Sequence, residues 1–511
     1  MGSRMLQAYL TRLHLRYMFL DRQELWRLHE GRFRLARAKS EELSQAERYG
    51  IFKLYMVYAI GATAIELSEK DTYIAPERFY MTALQQVPAM CEARSIENIE
   101  AMTLLVLYHL RSASSQGVWY MVGLAMRTAI DLGLHRKANE IHLDPIAAQM
   151  RRRLFWTVYY VERVVSMSLG RPFSIADRHI DLPLPVDVDD DIRDPALLTE
   201  SPPMGRITTM TFAIYLIQLR RIDSKIQHKI YRADRSLHSL RSKMDSLFLE
   251  LEEWKRSALL RFSGSDLDYP ILHYNRALRL LLQPFLPSLP LTDPYYHICL
   301  RAAGDICQTH KRLHQTLEYG HSFLAVQTVF MAGITLLYAL WTHTNEVWSV
   351  QMSNDIRACS TVLFVMGERA VWVKKYRDAF ELLVNAAMEK LEANNDNTGR
   401  KIGMAELMTA QHPGIINPHS SSYPSSSAAN PGMFKVYPNH AAGPAGTAAP
   451  DVHSTFDTDL SHSHGVRMAL QLAPWIDLEE DSPFWMPDFE TLENFSGNLW
   501  SGEAPVPFDP L

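Results

Sequence analysis

Apolar residues recur three and four positions apart almost without interruption from about residue 5 to residue 395 of this 511-residue chain. That spacing places apolar side chains on one face of an α-helix, whereas a half-buried β-strand requires strict alternation, which is rare here. Because 47% of the residues are hydrophobic and 21% are charged, the chain can bury a large core. The sequence therefore predicts an all-α fold, with a large multi-helix domain over residues 1–395.

Three helices can be placed from their start and stop signals. The first begins after Ser95, a residue that commonly caps helix N-termini. The second ends at Gly133, because glycine readily adopts the left-handed conformation of a helix C-cap. The third begins at Asp144-Pro145, a cap followed by proline at the first helical position, and ends at Gly170.

A stretch rich in proline and aspartate separates these helices from those that follow. Residues 171–203 contain six prolines, and proline disrupts the interior of a helix. We therefore expect a loop that no helix crosses. Helical periodicity resumes near Ile207 and continues to about residue 262, with interspersed charges that are typical of a solvated helix face.

One stretch, residues 323–341, is long enough and apolar enough to span a bilayer, with nineteen residues and no formal charge. It contains three polar residues, and charged clusters do not flank it. A helix that is apolar all round is also what the centre of a large α-helical protein requires, so we predict a buried core helix. We expect no secretory signal peptide, because the first residues are charged and amphipathic.

The composition changes abruptly near residue 396. Residues 396–467 are rich in Ser, Pro, Ala and His and poor in large apolar side chains, which predicts a disordered linker. Residues 468–511 contain nine acidic residues, no Lys or Arg, and interleaved aromatic residues. This pattern is typical of an activation segment, whose carboxylates keep aromatic side chains in water until they dock into a partner's apolar groove. The candidate contact residues are Trp475, Phe484, Trp485 and Phe489.

Charge is distributed unevenly between the helical part and the C-terminal part. Residues 411–511 contain two basic and twelve acidic residues, whereas residues 1–410 contain 50 basic and 45 acidic residues. A basic body with an acidic tail is typical of proteins that interact with nucleic acid or that bind a partner through the tail. The alternative, that the tail folds back onto the basic body, stays open.

Candidate chemical sites are few. The four cysteines are too scattered for a disulfide framework or a clustered metal site, so we expect structural thiols in a reducing compartment. His135, Glu140 and His142 are zinc-ligand types, but they lie in a connector where spacing fixes no common face. The sequence contains no phosphate-binding loop, dinucleotide fingerprint or serine elbow. We therefore predict no catalytic site, no metal site and no cofactor.

Asp190, Asp191 and Asp194 form the pattern D-D-x-x-D, which resembles the magnesium-binding motif of all-α terpene synthases. Clustered carboxylates suit a hard cation. Here, however, the motif lies in the proline-flanked loop rather than on a helix, and Asn354-Asp355 does not complete the second metal motif of that family. A magnesium-dependent α-helical enzyme is therefore the minor alternative.

Basic residues cluster at residues 32–39 and at residues 151–153, and such clusters supply the electrostatic part of nucleic-acid binding. Three consecutive arginines on a helix point about 100° apart, so they cannot share one face. We expect at least one of them to lie beside the core and to pair with a local acid such as Glu162.

Several short motifs follow one another between residues 119 and 185. They are W-x-x-x-G-x-A-x-R-x-A, D-L-G-L-H-R, R-R-R-L-F-W, L-G-R-P and the run from Asp177 to Pro185. Together they resemble the fungal-specific transcription factor domain, the regulatory region of zinc-cluster transcription factors, although Gln149-Met150 replaces the acidic residue that usually precedes the arginines. The residues that carry the resemblance are Trp119, Gly123, Arg127, Gly133, His135, Arg136, Arg152, Arg153, Phe155, Trp156, Gly170, Arg171, Pro172 and Asp177.

The resemblance implies a nuclear, all-α regulatory domain that controls transcription of fungal metabolic or secondary-metabolite genes. Its implied partners are co-activators or the transcription machinery, DNA contacted directly or through another protein, and a second copy in a dimer; no membrane is implied. Family members usually begin with six cysteines that hold two zinc ions, whereas the first cysteine here is Cys91. Zinc is therefore expected only if such a cluster precedes this sequence. A scaffold or co-regulator that does not bind DNA is the main alternative.

Overall fold

The structure is a computed structural model that describes residues 1–39, 42–66, 74–86, 94–111, 117–199, 206–313 and 322–409. Within these ranges the chain forms sixteen α-helices and no β-strand, which confirms the prediction of an all-α fold. The helices are α1 (Gly2–Arg12), α2 (Arg22–Arg37), α3 (Gln45–Glu66), α4 (Pro76–Leu84), α5 (Ile96–His109), α6 (Val118–Asp131), α7 (Pro145–Ser168), α8 (Pro195–Thr199), α9 (Thr211–Lys229), α10 (Arg241–Arg261), α11 (Asp268–Leu282), α12 (Pro294–Leu313), α13 (Phe323–Thr342), α14 (Thr344–Val347), α15 (Val350–Arg369) and α16 (Lys374–Thr409).

The three helices placed from the sequence are α5, α6 and α7. Ser95 caps α5, and its Oγ accepts a 3.1 Å hydrogen bond from a backbone N–H of the first turn. Asp144 caps α7, and its Oδ1 accepts two such bonds of 3.0 Å each. Gly133 and Gly170 follow α6 and α7 with φ values of 70° and 63°, a region that L side chains rarely adopt. The start and stop predictions are confirmed.

In the described part of the loop predicted over residues 171–203, the chain forms a short α-helix, α8, and a 3₁₀ turn at Asp177–His179, neither of which was predicted. Proline is tolerated at the first position of a helix, because the N–H that it lacks would have no partner there. Asp194 precedes α8, and its Oδ1 accepts a 3.0 Å hydrogen bond from the backbone N–H of Ala196. The helical stretch predicted over residues 207–262 is divided into α9 and α10 by a turn between Ile230 and Leu240.

The main apolar core is built around α1, α3, α5, α6 and α7. Helices α1 and α3 cross at Gly61, where an added Cβ would lie 2.1 Å from the carbonyl oxygen of Met5. Only glycine permits the two backbones to approach so closely. A second group of helices, α11, α12, α13 and α15, packs side by side, and α9 joins the two groups by contacting both α7 and α11.

Helix α13 contains the stretch considered above as a membrane candidate. In the part of the chain that the structure describes, it is the one helix long and apolar enough to cross a membrane, and 72% of its most apolar window is buried within the protein. It packs against α12 and α15. The structure thus places it in the interior, as the sequence analysis predicts for a core helix.

Helix α16 continues to Thr409, beyond the domain boundary that the composition predicts at residue 395. The last turns of this helix contain Ala, Glu, Leu and Met, which favour helix formation. Contacts divide the chain into one unit that includes Met1–Ala387 and a second unit, Met388–Gly465, of which the structure describes only the helical residues. The rest of the predicted linker, and the activation segment with Trp475, Phe484, Trp485 and Phe489, lie outside the described residues.

Burial of His109 makes the stability of this fold depend on pH. His109 ends α5, is 5% exposed, and places its Nε2 3.1 Å from the Tyr80 hydroxyl oxygen. Removal from water lowers its pKa from 6.5 to about 4. As the pH falls from 6.5 towards 4, the unfolded chain gains a proton on this histidine that the folded chain does not gain. The free energy of unfolding therefore decreases on acidification. The loss contributed by His109 is about 3 kcal/mol once the pH has fallen below both pKa values.

We expect His109→Gln to remove this contribution, because glutamine keeps a hydrogen-bonding group but does not titrate. The measurement is urea unfolding at pH 7 and at acidic pH, with His142→Gln as the control because His142 is exposed. The control is expected to retain the pH dependence of the original chain. Equal acid sensitivity in the original chain and in His109→Gln would show that this histidine is not the cause.

Candidate functional site

The loop that follows α7 is held by a buried pair of charged residues, Glu162 and Arg163, near the C-terminal end of that helix. The fully buried Arg163 guanidinium lies 2.5 Å from Glu162 Oε2 and 2.9 Å from Asp177 Oδ1. Arg163 also donates to the carbonyl of Ile175 at 2.7 Å, and Glu162 accepts a 2.7 Å hydrogen bond from the backbone N–H of Ser174. The pair therefore anchors the loop backbone against α7.

Asp177 belongs to the motifs recognised in the sequence, whereas Arg163 was not among the predicted site residues. The signal that could have identified this pair is an acidic residue next to a basic residue within the apolar part of α7. All residues from 153 to 166 of this helix are buried. The predicted pairing of Glu162 with one of the arginines at residues 151–153 is wrong, because Glu162 faces Arg163 and the loop instead.

The arginines at residues 152 and 153 have different partners. Arg152 forms two parallel hydrogen bonds with Glu140, of 2.7 and 2.8 Å, the geometry in which an arginine pairs most strongly with a carboxylate. Arg153 is the one that lies beside the core, at 5% exposed. It donates to three backbone carbonyl groups, those of Met18, Leu20 and Asp190, at 2.6 to 3.3 Å. Both arginine side chains therefore stabilise the fold through contacts within the chain.

The turn after α6 is joined to the same loop. The Gly133 carbonyl accepts a 2.9 Å hydrogen bond from Asn139 Nδ2. The His135 carbonyl accepts 3.3 Å bonds from two backbone N–H groups, one of them that of Asp181, and the Arg136 side chain lies 3.0 Å from the Asp181 carboxylate. His135 thus contributes through its backbone, in a turn that follows a helix, as the sequence analysis expects.

The aromatic motif residues pack α6, α7 and the loop against one another. Trp119 Nε1 donates to Ser166 Oγ at 3.2 Å, and the Arg171 guanidinium lies 4.8 Å from the centre of the Trp119 ring. Trp156 is buried and donates to the Pro183 carbonyl at 2.8 Å. The remaining motif residues are buried (Gly123, Phe155) or exposed (Arg127, Pro172). The motif is therefore the framework that holds these helices and their loop together.

The aspartate-rich sequence is not arranged as a cation site. Asp190 Oδ2 lies 2.7 Å from His14 Nε2 and 2.9 Å from Arg22 Nε, and its Oδ1 accepts a 2.9 Å bond from Thr209 Oγ1. Burial by itself raises the pKa of this carboxyl, but the hydrogen bonds and charges of His14 and Arg22 outweigh it and hold the pKa well below its ordinary range. The other two aspartates of the pattern are exposed. Asp190 therefore ties the start of the chain to the loop, and the geometry gives the magnesium-enzyme alternative no support.

Metal-ligand residue types do not converge elsewhere either. In the described ranges no group of three or more His, Cys, Asp or Glu side chains is placed to hold a metal ion. Glu140, one of the three candidate zinc ligands, is occupied by Arg152. Cys299, Cys307 and Cys359 are buried free thiols, and burial raises the pKa of Cys299 to about 12. Cys91 lies outside the described residues.

A cavity of about 70 Å³ lies where the ends of α1 and α5 meet α7, α11, α12 and the start of α13. It is large enough for roughly five water molecules. Its walls include apolar and aromatic side chains such as Tyr17, Tyr160 and Leu272. Its basic lining residues are Arg16, Arg111, His273, Arg276 and His310, and no Asp or Glu is among the described residues that line it. This is the candidate ligand site of the fold.

Burial lowers the pKa values of several basic side chains around this cavity. Burial lowers the pKa of Arg111 to about 10, and burial together with the neighbouring Arg220 lowers that of Arg276 to about 10 as well. Burial and the surrounding arginines hold the pKa of His273 well below 6.5, so this imidazole is neutral at physiological pH. The sequence analysis did not find the cavity, because its lining residues come from six separate helices or their ends.

Residues 6–256 match the family model described as the fungal-specific transcription factor domain. This part of the chain belongs to that family. The fungal-specific transcription factor domain contains every motif residue from Trp119 to Asp177, and it supplies one side of the cavity from α1, α5 and α7. The other side of the cavity is formed by α11, α12 and α13, which come after residue 256, where the match ends.

Curated relatives of the chain are named as regulators. An uncharacterized transcriptional regulatory protein of Saccharomyces cerevisiae is 28% identical over 76% of this chain and 32% of its own length. The pyrimidine pathway regulatory protein 1 of the same yeast is 27% identical over 58% of this chain and 34% of its own length. The positive regulator of purine utilization of Emericella nidulans is 25% identical over 66% of this chain and 40% of its own length. The chain thus spans about a third of the length of these relatives.

Proposed function

We propose that this chain is a nuclear regulator of transcription in which the helical part is the regulatory domain. The observation that carries the proposal is the family match over residues 6–256, together with relatives that are named as regulators of transcription or of metabolic pathways. Regulators of this kind are not enzymes, and Asp190 of the D-D-x-x-D motif is engaged by His14 and Arg22.

The output of the regulator is activation, through residues 468–511. The nine acidic residues and interleaved aromatic residues of this segment support that role, because they keep apolar side chains available to the groove of a co-activator. The target is a fungal metabolic or secondary-metabolite gene set. Two of the relatives are named for the pyrimidine pathway and for purine utilization, which supports metabolic genes as the target.

Contact with DNA occurs directly or through a partner. Residues 1–90 contain no cysteine, so a six-cysteine zinc cluster is not part of that stretch. The arginines at residues 152 and 153 do not supply a DNA surface, because Glu140 and backbone carbonyl groups occupy them.

Chromatin immunoprecipitation of the tagged 511-residue chain tests this proposal. We expect occupancy of discrete promoters and, after deletion of residues 468–511, retained occupancy with a several-fold fall in the transcripts of those genes. Deletion of residues 411–454, a segment of the same length taken from the linker, is the control and should leave the transcripts near their original level. Absence of the full chain from chromatin under every growth condition would overturn the proposal in favour of a scaffold outside the nucleus.

A further inference from the structure

Two leucines lie exposed on the outward face of α10. Leu249 and Leu260 are 67% and 83% exposed. Helix α10 packs on α9 and α11 through its other face, which includes the buried Leu251 and Trp254. Because successive residues of an α-helix are about 100° apart, Leu249 and Leu260 point within about 20° of each other. Both therefore face away from the core, on one line along the helix.

The acidic residues on the flanks of α10 are engaged by the neighbouring helices. Glu250 forms an ion pair with Lys225 of α9, and Glu252 accepts a hydrogen bond from the hydroxyl group of Tyr274 in α11. These contacts fix the orientation of α10 and keep its outward face exposed. Single exposed apolar residues are common on protein surfaces, whereas apolar residues aligned on one exposed face of a helix form a candidate contact surface.

The two residues between these leucines on the same face have opposite charges. Glu253 and Arg256 form an ion pair, and both side chains are 67% exposed. Positions 249, 253, 256 and 260 follow one another at intervals of four, three and four residues, the spacing of a coiled-coil seam. The pattern is leucine, acid, base and leucine, and its intervals are the same in both chain directions. Such a pattern is complementary to itself when one helix is reversed.

We propose that this face of α10 binds a second copy of the chain, with the two α10 helices antiparallel across a two-fold axis. An axis through the midpoint between residues 254 and 255 places Leu249 opposite Leu260 of the partner subunit, and Glu253 opposite Arg256 of the partner subunit. Charge complementarity favours this direction, because parallel helices would place like charges opposite each other. The leucines bury apolar surface at both ends, and the charges fix the register.

This surface fits a weak and specific dimer. The line from Leu249 to Leu260 is about 17 Å long, so the contact is smaller than that of a permanent complex. Charged residues at its centre also cost free energy when they leave water. We therefore expect a dissociation constant on the order of 100 μM, and the chain is then a monomer at the low micromolar concentrations used to measure unfolding.

Two copies held at one promoter would be much closer together than in dilute solution. Weak pairing is sufficient there, because the second contact is effectively intramolecular. This use of the dimer rests on the proposed function, whereas the pairing of the two α10 helices does not.

Analytical ultracentrifugation of the purified full chain, over a range up to several hundred micromolar, tests the pairing. We expect a dimer whose fraction rises with concentration. Leu260→Gln and Glu253→Arg should each weaken dimerisation by roughly tenfold or more. Leu382→Gln changes an α16 leucine that is 71% exposed, so it is the matched control and should dimerise like the original chain. Circular dichroism verifies that the variants keep their helices.

Mixing two charge variants separates a direct contact from an indirect effect. Glu253→Arg and Arg256→Glu should each fail to pair with themselves, because like charges then face each other across the axis. An equimolar mixture of the two should dimerise again, because every changed residue faces an opposite charge in the other variant. A general loss of helix or of solubility in the single variants would not be reversed by mixing.

Disulfide trapping tests the direction of the helices. Leu249→Cys and Leu260→Cys are made in a Cys91→Ser background and oxidised with glutathione disulfide. The mixture should form a disulfide between the two copies, whereas neither variant alone should do so. In the antiparallel pair the two copies of residue 249 are about 16 Å apart along the helices, beyond the roughly 7 Å between Cα atoms that a disulfide can span.

Four results would each refute the proposed pairing. They are a chain that is monomeric at every concentration, a dimer that Leu260→Gln and Glu253→Arg leave unchanged, a disulfide formed by Leu249→Cys alone, and association that appears only after residues 410–511 are deleted. The last result would show that the C-terminal part of the same chain covers this face. None of these measurements involves chromatin, so failure of the dimer is distinguishable from failure of the proposed function.

Discussion

Arg163→Met is expected to lower the free energy of unfolding by about 3–5 kcal/mol, because removing one partner of a buried ion pair leaves the other uncompensated. The Glu162 side chain is 1% exposed, so its carboxylate would remain buried without its cation. The loop would also lose the hydrogen bond between Arg163 and the Ile175 carbonyl. A loss of this size is a large fraction of the stability of a typical domain. Urea unfolding followed by circular dichroism measures it.

Two variants show whether the cost comes from the stranded carboxylate. The double variant Glu162→Gln/Arg163→Met removes both charges and should be more stable than Arg163→Met alone. Arg256→Met breaks a pair with Glu253 in which both side chains are 67% exposed, and it should change stability by less than about 1 kcal/mol. A cost for Arg163→Met as small as that for Arg256→Met would mean that the Glu162–Arg163 pair does not anchor the loop against α7.

Gly61→Ala is expected to destabilise the chain by about 3 kcal/mol or more. The new methyl group would lie 2.1 Å from the Met5 carbonyl oxygen, and the obstacle is backbone rather than a side chain that can move aside. Overpacking of this kind typically costs about 1–3 kcal/mol, and more where the backbones of two helices must separate.

Gly31→Ala is the matched control, because both substitutions add one methyl group to a helical glycine. Nothing lies within 4 Å of a Cβ built at Gly31, so the only effect is the higher helix propensity of alanine. We therefore expect Gly31→Ala to stabilise the chain by about 0.5–1 kcal/mol, the opposite sign. Differential scanning calorimetry of the two variants measures both effects. Similar effects of the two substitutions would mean that α1 and α3 are not in close contact at Gly61.

Local signals account for what could be predicted from the sequence. Ser95, Gly133, Asp144 and Gly170 act within one or two helical turns, so the ends of α5, α6 and α7 follow from residues that are neighbours in the chain. The spacing of apolar residues likewise depends only on residues a few positions apart, and it is enough to establish the all-α class and the buried α13. The family motif is also a run of nearby residues, which is why it can be identified by inspection.

The tertiary structure alone decided which charged groups meet. His14 and Asp190 are 176 positions apart, Arg153 reaches carbonyl groups 133 and 135 positions away, and the cavity combines Arg16, Arg111 and Arg276. No local pattern distinguishes an arginine that will be buried from one that will be solvated, because the cost of burial depends on which helices cover the side chain. The sequence by itself therefore determined the helices and the family, whereas the partners of the buried charges, and hence the candidate site, were decided by how the helices pack.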